Sequence, residues 1–164
     1  MVICAITHII RAIYEILKHR KILIANKLSF VIMFFNMLIL WSSWVLLCNF
    51  DIYKINLPVV IRYLGLALFC LGIIAFLMGL FTIKSLESYE GDLITKGIYS
   101  KIRHPMYFGF ILWLLGFPIF FGALFSFILS FLFIGNIFFW RSLEEKELIE
   151  RFPGYTDYKK TTIF

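Results

Sequence analysis

The stretch 106-MYFGFILWLLGFPIFFGALFSFILSFLFIGNIFF-139 decides the fold. It holds 34 residues without a charge. As one helix it would reach about 50 Å at about 1.5 Å per residue, too long for one crossing of a hydrocarbon core of about 30 Å. Gly116-Phe117-Pro118 interrupts it, and Pro118 removes a backbone donor where a helix can turn back. The stretch reads as a helical hairpin, its first arm from Met106 to about Phe117 and its second from about Gly122 to Phe139. Working outward, Leu28 to Leu47 is an uncharged run. Val59 to Ile83 carries only Arg62, near its start, where the side chain can reach the interface. Each run is long enough for a span of about 20 helical residues. The expectation is an all-α integral membrane protein with four transmembrane helices, the last two forming the hairpin. An N-terminal amphipathic helix precedes them and a cytoplasmic C-terminal helical extension follows.

Composition agrees. Hydrophobic residues make up 62% of the 164 positions and charged ones 16%, against about a quarter in soluble domains. A soluble fold of this length cannot bury so much apolar side chain, so a soluble domain, a disordered chain and a nucleic-acid-binding module are excluded. One membrane domain covers 1–164: an amphipathic segment 1–27, two spans in 28–83, and loop, hairpin and tail in 84–164. Arg11, Lys18, Arg20, Lys21 and Lys27 precede the first span. Lys84, Lys96, Lys101 and Arg103 follow the second, and Arg141, Lys146, Arg151, Lys159 and Lys160 follow the hairpin. The other two connections hold only Lys54 beside Asp51. Four crossings put all three basic segments on one side, which the positive-inside rule makes cytoplasmic, with both termini. The excess of sixteen Lys and Arg over ten Asp and Glu thus reports orientation and contact with anionic membrane lipids. The first ten residues show neither a basic n-region nor a small-residue cleavage pattern, so no cleaved leader is expected.

Gly65, Gly72 and Gly79 recur every seven residues, placing a stripe on one helix face where a neighbour can approach closely. Gly122, Ser126 and Ser130 make a similar line. In the first segment Ile3, Ile6, Ile10, Ile13 and Leu17 share a face opposite Thr7, Arg11, Glu15 and Lys18. That pattern describes a helix lying in the cytoplasmic head-group plane, as an anchor or as a gate for a lipid. Cys4, Cys48 and Cys70 have no paired spacing, so buried inert thiols are expected rather than a metal site or disulfides.

Polar chemistry concentrates between Lys84 and His104 and after Trp140. Pro105 suits the first turn of a helix and pushes His104 out of the helical region. Arg103 and His104 then flank a helix N-terminus that favours an anion, with Tyr107 close by; the alternative is a simple interfacial anchor. Arg141, Glu144 and Glu145 can share a helix face and attract a cation, or can form only intrahelical ion pairs.

Together these stretches resemble a known family. Gly97-Ile98-Tyr99, Arg103-His104-Pro105-Met106-Tyr107 and Gly109 are similar to the central motif of the isoprenylcysteine carboxyl methyltransferase and phospholipid methyltransferase superfamily. Glu144-Glu145-Lys146-Glu147-Leu148, Phe152, Tyr155 and Tyr158-Lys159-Lys160 resemble its closing motif. The likeness covers roughly Gly91 to Thr161. It implies an integral membrane methyltransferase that uses S-adenosylmethionine on a lipophilic acceptor drawn from the bilayer, with carboxylate O-methylation favoured. It implies that Leu93, Ile94, Tyr99, His104, Pro105, Met106, Tyr107, Glu144 and Glu145 hold the cofactor, and that Arg103, His104 and Arg141 serve catalysis. Arg141 stands nearest the family's acceptor-associated arginine, one residue out of register. Phe152-Pro153-Gly154-Tyr155 replaces a longer Phe-Gly link. Phospholipid N-methylation, reduction of a sterol-type lipid with NADPH and a non-catalytic membrane subunit are the alternatives.

Overall fold

The computed structural model describes residues 1–23, 26–83 and 92–164. Lys84 and Gly91, named above for charge and for the family likeness, lie outside the described residues. The chain is helical: α1 (Val2–His19), α2 (Lys27–Asn49), α3 (Val59–Ile83), a 3₁₀ turn (Gly97–Ser100), α4 (Pro105–Phe121), α5 (Leu124–Arg151) and α6 (Tyr155–Thr161). Among the described residues there are two isolated strand-like bridges and no strand.

Local chemistry explains most of the boundaries. Asn26 caps α2 reciprocally: its side-chain oxygen accepts from the Ser29 amide at 2.9 Å, and the Ser29 hydroxyl accepts from the Asn26 amide at 2.9 Å. Pro105 occupies the first turn of α4, with the non-helical His104 before it. The hairpin arms join later than their sequence suggests. α4 continues through Pro118 to Phe121 and ends at Gly122, whose φ of 64° is left-handed. Glycine tolerates that conformation without a Cβ penalty, so Gly122 and not Pro118 terminates the arm.

By length and composition three helical segments can cross a membrane, Val31–Asn49, Val59–Ile83 and Leu124–Arg151; α4 is a shorter apolar helix. α4 runs antiparallel to α3 and the glycines set their distance. A Cβ at Gly72 would lie 2.6 Å from the Gly109 carbonyl oxygen, and one at Gly109 would lie 2.5 Å from that of Gly72. Gly65 and Gly116 repeat the arrangement one heptad away, and Gly79 faces Pro105. Lipid supplies no hydrophobic drive between helices, so this backbone contact carries the association. At the same end as the α4–α5 turn, Asp51 accepts from the Ser126 amide at 2.7 Å and from its hydroxyl at 2.6 Å. Ser130, fully buried, donates back to the Ser126 carbonyl at 3.0 Å.

The first helix departs from expectation. Rather than lying flat, α1 runs antiparallel along α2 and packs on α5. Cys4 sits beside Ser43 and Cys48, the Asn36 amide donates to the Thr7 carbonyl at 3.1 Å, and His8 stacks on Phe133 at 3.8 Å between centroids. Its polar stripe finds partners inside the bundle, which leaves Ile3, Ile6, Ile10 and Ile13 exposed as a lipid-suited face. The start of α1 therefore falls at the end of the bundle opposite the basic segments. Lys18, at its other end, stays beside them. The thiols also divide: Cys4 and Cys48 are buried, whereas Cys70 is exposed on α3 and not buried as expected.

The glycine contact is directly testable. Gly72→Val and Gly109→Val should each lower the melting temperature in detergent, since overpacking costs about 1–3 kcal/mol. Gly135→Ala, where a Cβ meets nothing within 4 Å, should leave it unchanged or higher. Equal melting of all three variants would show that backbone approach does not hold the hairpin.

Candidate functional site

Two distant parts of the chain meet at the end of the bundle that carries the basic residues. Gly97, with a left-handed φ of 62°, turns the chain beneath Thr82 into the 3₁₀ turn, and Tyr99 is buried there. The tail then closes over this loop. Tyr158 donates its hydroxyl to the Tyr99 carbonyl at 2.5 Å, and the Arg103 amide donates to the Ile163 carbonyl at 3.1 Å. Arg103 itself is buried and spent on the tail. One guanidinium nitrogen donates to the carbonyls of Lys159 (3.0 Å) and Thr162 (2.5 Å) and to the Thr162 hydroxyl (3.2 Å).

A single carboxylate gathers these elements. Glu145, 6% exposed, lies 3.4 Å from Arg103 Nε, 3.4 Å from His104 Nε2, 3.7 Å from Arg141 Nε and 2.6 Å from Lys159 Nζ. The His104 hydrogen bond holds its carboxyl far below the usual range; burial opposes this and Lys159 reinforces it. The neighbouring Glu144 points the other way, with Oε2 3.7 Å from His104 Nδ1. Both nitrogens of the imidazole therefore face carboxylates, and the Tyr155 hydroxyl lies 3.3 Å from Nε2.

Glu144, half exposed, opens onto a cavity of about 500 Å³. Leu93, Ile94, Tyr99, Arg103, His104, Met106 and Tyr107 also line it, together with Leu148, Phe152, Tyr155 and Tyr158 of the α5 extension and tail. The Tyr107 hydroxyl pairs with Glu144. The Tyr99 hydroxyl is buried and has no partner among the described residues. Burial first, and then the Glu144 charge, push its phenol above the usual range, so it keeps its proton. The cavity descends from this polar end between Met37 and Trp41 of α2, Phe76 and Leu80 of α3 and Phe110 of α4. Phe34 and Leu38 line it and are also exposed on the outer face of α2.

Three residues anticipated for the site stand elsewhere. Pro105 packs on Gly79, and Glu145 forms the buried junction beneath the cavity. Arg141 faces away, with its guanidinium 4.7 Å from the Phe164 ring and 5.3 Å from that of Phe138. Conversely, Arg11, Glu15, Lys18 and His19 of α1 line the cavity. For Arg11, Glu15 and Lys18 the sequence signal is the polar stripe, which reads the same on a helix lying flat and on one standing in the bundle; His19 carries none.

The family model described as phospholipid methyltransferase matches residues 60–154, more than half of the chain and both halves of the site. The chain belongs to this family. The protein named protein-S-isoprenylcysteine O-methyltransferase of Schizosaccharomyces pombe is 37% identical over 80 residues, 48% of this chain and 34% of that protein. The match thus spans about a third of that relative's length. No solved structure matches the chain.

The Glu145 junction predicts an acid dependence. A carboxyl depressed on folding contributes stability that is complete above its unfolded value of about 4.5 and is lost as pH falls toward its folded value. Glu145→Gln should remove that acid-sensitive part and destabilise the protein at neutral pH by about 3–5 kcal/mol, the usual cost of breaking a buried pair. Chemical-denaturant melts between pH 7 and pH 3 check this. Parallel curves for wild type and variant would contradict it.

Proposed function

We propose that this protein is a membrane-embedded methyltransferase. S-adenosylmethionine occupies the polar end of the cavity and a lipid-tailed carboxylate, drawn sideways from the bilayer, is the acceptor. The observation that carries this reading is the convergence of His104 and Glu144, 40 residues apart in sequence, on one cavity wall beside a tyrosine hydroxyl that has no partner among the described residues.

The residues suit the donor. Glu144 offers a carboxylate to its ammonium group, and Tyr99 and Tyr107 offer aromatic faces to its adenine or its sulfonium. The backbone at the start of α4, next to His104, favours its carboxylate. The Tyr99 hydroxyl, which has no partner among the described residues, can supply a hydrogen bond. When bound, S-adenosylmethionine supplies a methyl group whose C–S bond breaks as the bond to the acceptor oxygen forms, leaving a neutral thioether.

This chain's own part is to hold the reactants in line and keep water out. The tail fixed by Arg103 and Glu145 roofs the site, and Met37, Trp41, Phe76 and Phe110 give the acceptor tail an apolar berth. A carboxylate acceptor is already ionised and needs no base. The name of the yeast relative favours the same acceptor class. Phospholipid N-methylation is the second reading, supported by the family's description; His104 or Glu144 would then take the proton of the amine. The basic residues grouped at this end support placing it, and the site, in the cytoplasm.

Calorimetry on detergent-solubilised protein should detect S-adenosylmethionine binding that Glu144→Ala or His104→Ala abolishes. Tyr99→Phe should weaken it about three- to tenfold, as expected for one hydrogen bond. Methyl-labelled donor should mark a farnesylated N-acetylcysteine rather than phosphatidylethanolamine. Binding of NADPH without S-adenosylmethionine would overturn the assignment, and unchanged affinity in both alanine variants would overturn the site.

A further inference from the structure

The family match starts at residue 60, so α1 and α2 lie outside it. Even so, α1 brings charge into the cavity at its most consequential depth. Arg11 lines the cavity and is ion-paired with Glu15 one turn on, both side chains about nine-tenths buried (13% and 12% exposed). The guanidinium is seated 5.9 Å from the Trp140 ring and 5.6 Å from the Tyr14 ring. Above it the pair acts electrostatically on the Tyr107 hydroxyl, together with Glu144. Below it the walls are apolar, formed by Met37, Trp41 and Phe110. Arg11 thus stands at the boundary between the polar end and the lipid-suited part, where the head group of a tailed molecule must lie.

The other arginines near this boundary are committed. Arg103 is consumed by the tail and Arg141 is turned onto Phe164. Among the described residues, the anionic partner of Arg11 is Glu15. A guanidinium presents five donors in a planar fork, so one edge can serve Glu15 while another takes two oxygens of a ligand. Its aromatic seat and weak hydration limit the cost of holding that charge in a nearly dry wall. We propose that Arg11 is the head-group-binding residue of this protein, its guanidinium taking the anionic oxygens, carboxylate or phosphate, of a lipid-tailed ligand. The inference rests on the methyltransferase reading for that ligand's role as acceptor, but the recognition itself is measurable without turnover.

Dissociation constants are read from quenching of tryptophan fluorescence in detergent-solubilised full-length protein. The probes are farnesylated N-acetylcysteine, its neutral carboxamide, a phosphatidic acid and the matching diacylglycerol. Wild type should bind at least one anion about tenfold or more tighter than its neutral counterpart; which pair discriminates identifies carboxylate or phosphate. Arg11→Gln should remove that preference and leave the neutral probe and S-adenosylmethionine unaffected. Arg11→Lys, which keeps the ion pair but loses the fork, should lose about three- to tenfold for the anion. Glu15→Gln should leave anion binding equal or tighter. No preference in wild type would overturn the proposal. So would equal weakening of charged and neutral probes in both Arg11 variants, or a loss in Glu15→Gln as large as in Arg11→Gln. Preserved discrimination without methyl transfer to any probe would sink the methyltransferase reading and leave this one standing.

Discussion

The site exists because one buried carboxylate holds three pieces of chain together. Glu145 lies on the extension of α5, Arg103 and His104 on the approach to α4, and Lys159 on α6. Separately, the buried Glu145 carboxylate and Arg103 guanidinium would each pay for burial with an unpaired charge. Around a common acceptor they satisfy one another, and Arg103 spends its remaining donors on the tail backbone. The cavity roof is the consequence. Tyr155 and Tyr158 rest on His104 and the Tyr99 carbonyl because the tail is already fixed. Glu144, one residue earlier on the same helix, is left to face the cavity.

Below this junction the bundle obeys the rules of lipid rather than of water. The seams are made by absent side chains, Gly72 against Gly109 and Gly65 against Gly116, and by buried hydroxyls such as Ser126 and Ser130. The two ends are then distinguished by their polar anchors: Asp51 with Ser126 at one, Glu145 with its cationic partners at the other. The polar lining of the cavity lies at the second. Its lining passes from carboxylates and tyrosines to methionine, tryptophan and phenylalanine within one continuous space, matching a reactant pair that is polar at one end and oily at the other.

Much of this was legible in the sequence. Apolar run length placed α2 and α3, Pro105 marked the start of α4, and heptad glycines predicted the close seam. The two polar motifs, far apart in sequence, come together at one end of the bundle. What escaped had physical reasons. Pro118 suggests the turn, but a proline's missing donor does not stop a helix when a glycine four residues on offers the left-handed exit. The stripe on α1 was periodic as expected, yet amphipathicity names two faces without saying which one meets lipid. In a bundle with polar partners waiting at Asn36, Asn136 and Trp140, the isoleucines turn outward. Glu144 and Glu145 are neighbours in sequence and opposites in role. Helical geometry separates them by about 100°, so one lines the cavity and the other is locked beneath it.

The central claim is that the loop before α4 and the extension of α5 enclose one small charged molecule at one end of the bundle. A structure of the detergent-solubilised protein determined with S-adenosylmethionine tests it most directly. The account predicts ligand density bounded by Tyr99, His104, Tyr107 and Glu144, above the tryptophan-lined part of the cavity. Density at any other surface, or a closed and unaltered cavity at saturating ligand, would contradict it.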